Sequence, residues 1–228
     1  MNTVELSFKV KSVGYGLGTV LQDISLDFSG PGMLLIAGRN GVGKSTLLRS
    51  LLGLVPHVDG EIRIAGCNPR EMSSDALARH GITLMPQEGG VFDDLTVEEN
   101  LVLTKSRAAA EEILEILPGW SERMRQKAGT LSGGERKILG LARAIGQDPS
   151  VLLVDEPTEG VWHDFAPKVT DYLALHARKA LVIVVEQNLS NFVAAADFIV
   201  VLEQGTIALE GKPGDVASDP ALEALLTL

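Results

Sequence analysis

The sequence predicts an α/β protein: a parallel sheet at its core, an antiparallel β segment near the N-terminus and a small α-helical insert. Three observations carry this expectation. Residues 33–37 (Met-Leu-Leu-Ile-Ala), 151–154 (Val-Leu-Leu-Val) and 181–185 (Leu-Val-Ile-Val-Val) are continuous apolar runs of strand length, as strands buried on both faces require. Helical stretches separate strands of this kind, which implies parallel pairing through right-handed crossovers. The first third instead alternates with period two, with Val4, Leu6, Phe8 and Val10 on one face and Ile24, Leu26 and Phe28 on another.

The 228 residues suit one large domain, and a 45% hydrophobic content is enough to bury a sizeable core. The formal net charge is −10, and no cluster of Lys and Arg is present to neutralise a phosphate backbone, so nucleic acid is a poor candidate for the main partner and none is expected. Cys67 is the only cysteine, which rules out an internal disulfide and points to a reducing compartment. Glu5 and Lys9 interrupt the N-terminal apolar residues, unlike a signal peptide. No apolar run reaches the ~18 residues of a membrane span, so any link to a membrane is expected to run through another protein.

The elements follow in order. After the buried strand at 33–37 comes a glycine-rich loop, then a helix from Lys44 to Leu52 closed by Gly53. Residues 61–65 alternate and suggest a hairpin partner; residues 82–85 (Ile-Thr-Leu-Met) read as a strand. From Val97 to about Gly146 the texture is helical, Ala- and Glu-rich and without β-branched runs. A helix around 164–178 separates the strands at 151–154 and 181–185. The chain returns through 199–202, a turn at Gln204-Gly205 and a short strand at 207–209, with a terminal helix after Pro220. The expected division is a single domain, 1–228, with a β-rich core at 1–88 and 147–228 and a helical subdomain at about 89–146.

Three constellations carry chemistry. The first runs Gly38, Arg39, Asn40, Gly41, Val42, Gly43, Lys44, Ser45, Thr46, a complete phosphate-binding P-loop pattern between a buried strand and a helix. Its glycines let backbone N–H groups turn inward, Lys44 adds a full charge at the β- and γ-phosphates, and Ser45 offers an oxygen to Mg²⁺. A P-loop on this strand makes the fold class a RecA-like P-loop NTPase. The second is Val151–Pro157, where an apolar strand delivers Asp155 and Glu156 to its C-terminal end. Asp155 is placed to hold the Mg²⁺ shell, and Glu156 to act as the general base toward water at the γ-phosphate. The third is Leu131-Ser132-Gly133-Gly134-Glu135. Ser132 and Glu135 form a capping box, a sufficient structural reason for both. The two glycines are not needed for a cap and cost helix stability, ~1 kcal/mol each in a formed helix, which suits close approach of a ligand to a bare helix end. One chain cannot easily bring this end and the P-loop to the same phosphate; two facing chains can.

With Gln87 added, these segments in this order resemble the nucleotide-binding subunit of an ABC transporter along nearly the whole chain. The resemblance implies an ATPase using ATP and Mg²⁺. It implies a head-to-tail dimer with a second ATPase subunit, in which Ser132, Gly133, Gly134 and Glu135 bind ATP held by the partner. It implies transmembrane permease subunits and a place on the cytoplasmic face of the membrane, with a solute-binding protein if the system imports. Gln87 matches a magnesium contact that also joins the membrane partner; Tyr15 falls where an aromatic ring stacks on adenine. Two positions depart from the family. Gln187 stands where a histidine usually meets the γ-phosphate; it can donate a hydrogen bond but carries no charge. Trp162 stands at a usual aspartate. Thr96–Leu101, Glu156–Gly160 and Val185–Asn188 together resemble the ATPases of branched-chain amino acid and urea importers, where a glutamine at 187 is usual, although Trp162-His163 replaces their Gln-Pro. The competing readings are a soluble ABC ATPase, disfavoured by the 86 residues between Lys44 and Leu131, too few for a long coiled coil, and a low-turnover regulatory module, disfavoured by the intact Glu156.

Overall fold

A computed structural model describes residues 5–226. Val4, part of the first alternating strand, lies outside the described residues. The chain begins with β1 (Glu5–Tyr15) and β2 (Gly18–Ser29), an antiparallel pair joined at Gly16-Leu17. β3 (Gly32–Ala37) is buried at all six positions and feeds the loop that precedes α1 (Lys44–Ser50). β4 (His57–Ile64) pairs antiparallel with β1, so the alternation around 61–65 marks a strand that crosses back rather than a hairpin to its sequence neighbour. The result is a three-stranded sheet in the order β2-β1-β4.

After α2 (Ser74–Arg79) comes β5 (Ile82–Met85), then α3 (Val97–Val102), α4 (Arg107–Leu114) and α5 (Gly133–Ile145). The chain closes with β6 (Val151–Asp155), α6 (Ala166–Ala177), β7 (Leu181–Glu186), β8 (Phe198–Glu203), β9 (Thr206–Gly211), α7 (Pro213–Ala217) and α8 (Leu222–Leu226). The second sheet runs β5-β6-β7-β3-β8-β9, parallel throughout except for the β8/β9 pair.

The continuous apolar strands are explained by this sheet. Alternate side chains feed two separate cores. Met33, Leu35, Leu152, Val154, Val182 and Val184 join α3–α6 on one face. Leu34, Ile36, Val151, Leu153, Ile183 and Val185 join α1 and the inward faces of β1, β2 and β4 on the other. The register sets Ala37 beside Glu186 and Asp155 beside Val185, so the ends of β3, β6 and β7 are level.

Sequence and structure differ mainly at short helices. α1 ends at Ser50 rather than Leu52. Gly53, at φ 68°, turns the chain against the Pro69 carbonyl, only 2.2 Å from where a Cβ would sit. α2 and α7 span six and five residues, too short for an apolar period to register. The stretch from Val97 to Ile145 holds three helices linked partly by 3₁₀ turns at Trp120–Arg123 and Ala128–Thr130. Asn100, fully buried in α3, pins the preceding loop: its Nδ2 donates to the carbonyls of Phe92 at 3.0 Å and Thr96 at 2.9 Å, and its Oδ1 accepts from the Phe92 N–H at 2.9 Å.

α5 approaches the turn after β5 so closely that a Cβ on Gly140 would lie 2.0 Å from the Gly89 carbonyl oxygen. That obstacle is backbone and cannot rotate away. Gly140→Ala is therefore expected to cost about 2 kcal/mol or more and to lower the melting midpoint by roughly 5 °C, despite alanine's better helix propensity. A thermal melt checks it; an unchanged or raised midpoint would contradict this packing.

Candidate functional site

The level strand ends place three loops side by side. The loop after β3 uses glycine where nothing else fits. Gly38 has φ 146°, and a Cβ there would meet the Leu202 carbonyl at 2.5 Å; Gly43 has φ 111°, and a Cβ would meet Leu21 at 2.5 Å. Lys44 follows at the start of α1 and is only 4% exposed. A buried ammonium needs acceptors. Lys44 Nζ donates to the Gly38 carbonyl at 2.8 Å and the Arg39 carbonyl at 3.0 Å, and lies 3.6 Å from Glu156 Oε1.

β6 brings Asp155 and Glu156 to the same edge. Ser45 Oγ donates to Asp155 Oδ1 at 3.2 Å. Burial is the main cause that raises the Asp155 carboxyl above its usual range, against the lowering pull of Ser45. Glu156 adopts φ 49°, a left-handed conformation costing about 1–2 kcal/mol for a residue with a side chain. Burial likewise raises its carboxyl, opposed by the charge of Lys44. Gln87, beyond β5, donates from Nε2 to Glu156 Oε2 at 3.0 Å and to Glu159 Oε2 at 2.8 Å. Val20, Asn40, Gly41, Gly43, Lys44, Ser45, Thr46, Gln87 and Glu156 line one cleft of about 300 Å³.

Several expected residues lie elsewhere. Arg39 contributes its backbone carbonyl to Lys44, while its Nε is buried without a partner. Val42 packs against the core on the α1 face of the parallel sheet. Tyr15 is 40% exposed at the end of β1 and does not line the cleft. Gln187 is exposed and lines a neighbouring cavity of about 610 Å³, which shares Glu156 with the first. Trp162 is 64% exposed; its ring lies 5.5 Å from that of Phe165, and its carbonyl accepts the N–H of Phe165 at 2.8 Å at the start of α6.

Ser132, Gly133, Gly134 and Glu135 do not reach the Lys44 cleft. Ser132 caps α5 in a full capping box with Glu135. The two glycines differ. A Cβ on Gly134 would meet the Gly160 carbonyl at 2.8 Å, so packing within the chain explains it. A Cβ on Gly133 would face open space. The Glu135 carboxylate is committed internally: its oxygens accept from the Ser132 N–H and Oγ, both at 2.8 Å, and from Arg123.

Sequence reasoning missed three residues. Lys137, 7% exposed in α5, donates from Nζ to the Glu156 carbonyl at 2.7 Å and to Glu159 Oε2 at 3.3 Å. Glu159 joins Lys137 to Gln87. Glu186, 3% exposed at the end of β7, accepts from the Thr158 N–H at 2.9 Å, Thr158 Oγ1 at 2.6 Å and the Gln187 N–H at 3.2 Å, and so fixes the segment after Pro157. One signal was available: a charge on an otherwise apolar helix face or strand end requires a partner.

The residues fit a nucleotide phosphate and a hard cation. The loop conformation is open only to glycine at Gly38 and Gly43, and Lys44 supplies the charge. A hydroxyl beside a buried carboxylate, Ser45 and Asp155, is the oxygen donor set that suits Mg²⁺. Among the described residues no group of three or more His, Cys, Asp or Glu side chains forms a cage of its own, so an ion here would complete its shell from phosphate and water.

The chain is also similar to known proteins over most of its length. A family profile described as ABC transporter matches residues 21–159. The high-affinity branched-chain amino acid transport ATP-binding protein BraG of Pseudomonas aeruginosa is 33% identical, over 94% of this chain and 96% of its own length. The probable branched-chain amino acid transport ATP-binding protein LivF of Archaeoglobus fulgidus is 32% identical, over 99% of this chain and 97% of its own. The phosphonates import ATP-binding protein PhnC 2 of Nostoc is 36% identical over 85% of this chain and 86% of its own. Among solved structures, a nucleotide-free ATP-binding cassette from an ABC transporter superposes with a TM-score of 0.82 at 25% identity, covering 99% of both chains. A bacterial Atm1-family ABC exporter with ATP bound gives 0.84 at 25% identity, covering 98% of this chain and 41% of that one.

The Arg123 contact first, then the Ser132 bonds, hold the Glu135 carboxyl down at about 2 from an ordinary 4.5. A depressed value in the folded state means stability that is present above 4.5 and lost as pH falls toward 2. Glu135→Gln is expected to cost on the order of 1–2 kcal/mol at pH 7, allowing for partial solvent screening of Arg123, with the gap narrowing below pH 4.5. Urea midpoints of both proteins at several pH values check this; a pH-independent gap would refute it.

Proposed function

This chain belongs to the ABC transporter family as an ATP-binding subunit with ATPase activity coupled to transport, and on that premise we propose that it powers an importer of branched-chain amino acids or a similar small polar solute. The observation carrying the catalytic part is the convergence of Lys44, Ser45, Gln87 and Glu156 on one cleft, with Asp155 hydrogen-bonded to Ser45 behind it. The loop residues Gly38–Thr46 cradle the phosphates of ATP, with Lys44 exchanging its carbonyl acceptors for phosphate oxygens. Ser45 and Asp155 would hold Mg²⁺, with the Gln87 amide as a further oxygen donor. Mg²⁺, when bound, neutralises charge on the phosphate oxygens.

Glu156 is the general base. Its carboxylate takes a proton from the attacking water as the bond from water oxygen to the γ-phosphorus forms and the bond from that phosphorus to the β,γ-bridging oxygen breaks, so that ADP and inorganic phosphate leave; burial keeps the affinity of the carboxylate for that proton high. Gln187 donates a neutral hydrogen bond at the γ-phosphate from the end of β7, and Tyr15 stacks on adenine. Ser132, Gly133, Gly134 and Glu135 serve ATP bound to a second subunit; the open face at Gly133 supports this, whereas Glu135 acts by holding Ser132 in place. Residues 1–228 are one ATPase domain, with its core at 1–88 and 147–228 and a helical subdomain at about 89–146.

Among the described residues no helix is long and apolar enough to cross a membrane. The subunit works at the cytoplasmic face through transmembrane permeases, paired with a second ATPase subunit and supplied by a solute-binding protein. The full-length likeness to the two branched-chain amino acid relatives supports the solute class.

Glu156→Gln is expected to retain ATP affinity while kcat falls by about 10²–10⁴-fold, the usual range for losing a positioned base. ATP should then hold it as a dimer, seen as a doubled mass in size-exclusion chromatography with light scattering. Hydrolysis at the parental rate would remove Glu156 from this role.

The solute class is tested with the chain assembled on its own permeases in vesicles. ATP-driven uptake of radiolabelled leucine is expected, and methylphosphonate is expected not to compete. Competition by methylphosphonate without leucine uptake would move the solute to the phosphonates.

A further inference from the structure

We infer that Lys137 is a positioning residue for hydrolysis: from within α5 its ammonium fixes the backbone of Glu156 and so aims the Glu156 carboxylate at water. This deepens, and rests on, the reading of Glu156 as general base. The backbone of Glu156 is clamped from two directions. Its N–H donates to the Val185 carbonyl of β7 at 2.9 Å, and its carbonyl accepts from Lys137 Nζ at 2.7 Å. Apart from Lys137, that carbonyl has among the described residues only the Glu159 N–H, at a long 3.4 Å. Glu156 is in the left-handed region at φ 49°, where an unrestrained residue with a side chain relaxes to another basin and swings its Cβ away.

A second route joins the same groups. Lys137 Nζ lies 3.3 Å from Glu159 Oε2, and that oxygen also accepts from Gln87 Nε2 at 2.8 Å. The same Gln87 nitrogen donates to Glu156 Oε2 at 3.0 Å. Lys137 thus touches the Glu156 main chain directly and its carboxylate through two neighbours.

Packing alone does not ask for a lysine. Position 137 faces inward with Leu141 and Ala144, one and two turns along α5, and an apolar residue would fill the space without burying an ammonium. The charge is therefore explained by its acceptors. Because α5 begins at Ser132, a shift of that helix end moves Lys137 and with it the base.

The test uses steady-state ATP hydrolysis by the full chain. Lys137→Met keeps the length of the stem and removes the donor. A fall in kcat of about tenfold is expected, with KM for MgATP changed by less than about twofold, as for loss of orientation rather than binding. Lys137→Gln, which retains an N–H donor, is expected between the two and carries the same comparison if Lys137→Met does not fold. The Glu156→Gln background discriminates a positioning role from a general one. If Lys137 acts through Glu156, adding Lys137→Met there changes the residual rate by less than about twofold. Parental kcat in both single variants, or a further tenfold loss on top of Glu156→Gln, overturns the inference. Parental activity of Glu156→Gln itself overturns instead the reading of the base on which the inference stands.

Discussion

The site is organised by the burial of Lys44. An ammonium that is 4% exposed needs oxygen acceptors, and the fold supplies them from two loops: the Gly38 and Arg39 carbonyls and, at 3.6 Å, the Glu156 carboxylate. The first two come from its own loop, but the carboxylate reaches it because β3 and β6 run parallel on either side of β7, with Ala37 level with Glu186 and Asp155 level with Val185. The parallel register in turn depends on strands apolar on both faces, sandwiched between two cores. The charged edge and the apolar interior are thus one construction. Slipping β6 by one residue would exchange its two faces and also carry Asp155 and Glu156 away from Lys44.

Much of this was legible in the residues. The apolar runs at 33–37, 151–154 and 181–185 became β3, β6 and β7 because full burial leaves a continuous hydrophobic string. The placement of the P-loop and of the Asp155-Glu156 pair was legible because it depends on local sequence: glycine where a Cβ collides, and acids at a strand end. What was hidden is long-range. The β1/β4 pairing joins segments about fifty residues apart, and alternation names a strand but not its partner. Lys137, Gln87 and Glu159 meet only because α5 packs against the turn at Gly89, across Gly140. Nothing adjacent to Lys137 in sequence distinguishes it from a solvated lysine except the apolar face it interrupts.

The glycine pair at 133–134 shows how a motif divides under structural scrutiny. Gly134 is needed by its own chain, since the Gly160 carbonyl leaves no room for a Cβ. Gly133 has no such neighbour among the described residues, so packing there does not call for a glycine. The packing that Gly134 permits also fixes where the start of α5 lies relative to the loop after Glu156. That loop holds Glu159 and leads to Trp162, whose carbonyl opens α6. An aromatic residue at 162 keeps this backbone role, because the acceptor is main-chain, while its exposed ring offers no carboxylate.

Glu156 and Glu159 lie three residues apart in one loop, yet their surroundings push them in opposite directions. Burial raises the Glu156 carboxyl, and the nearby Glu159 and Asp155 charges add to the effect. Gln87, then Lys137, stabilise the ionised form of Glu159 and lower it. Divergent environments of this kind separate the roles of two otherwise identical groups. The raised carboxyl is the better proton acceptor, and the lowered one remains a fixed charge. Glu159 therefore belongs to the scaffold: it gives Lys137 a counter-charge and gives the Gln87 amide a second acceptor.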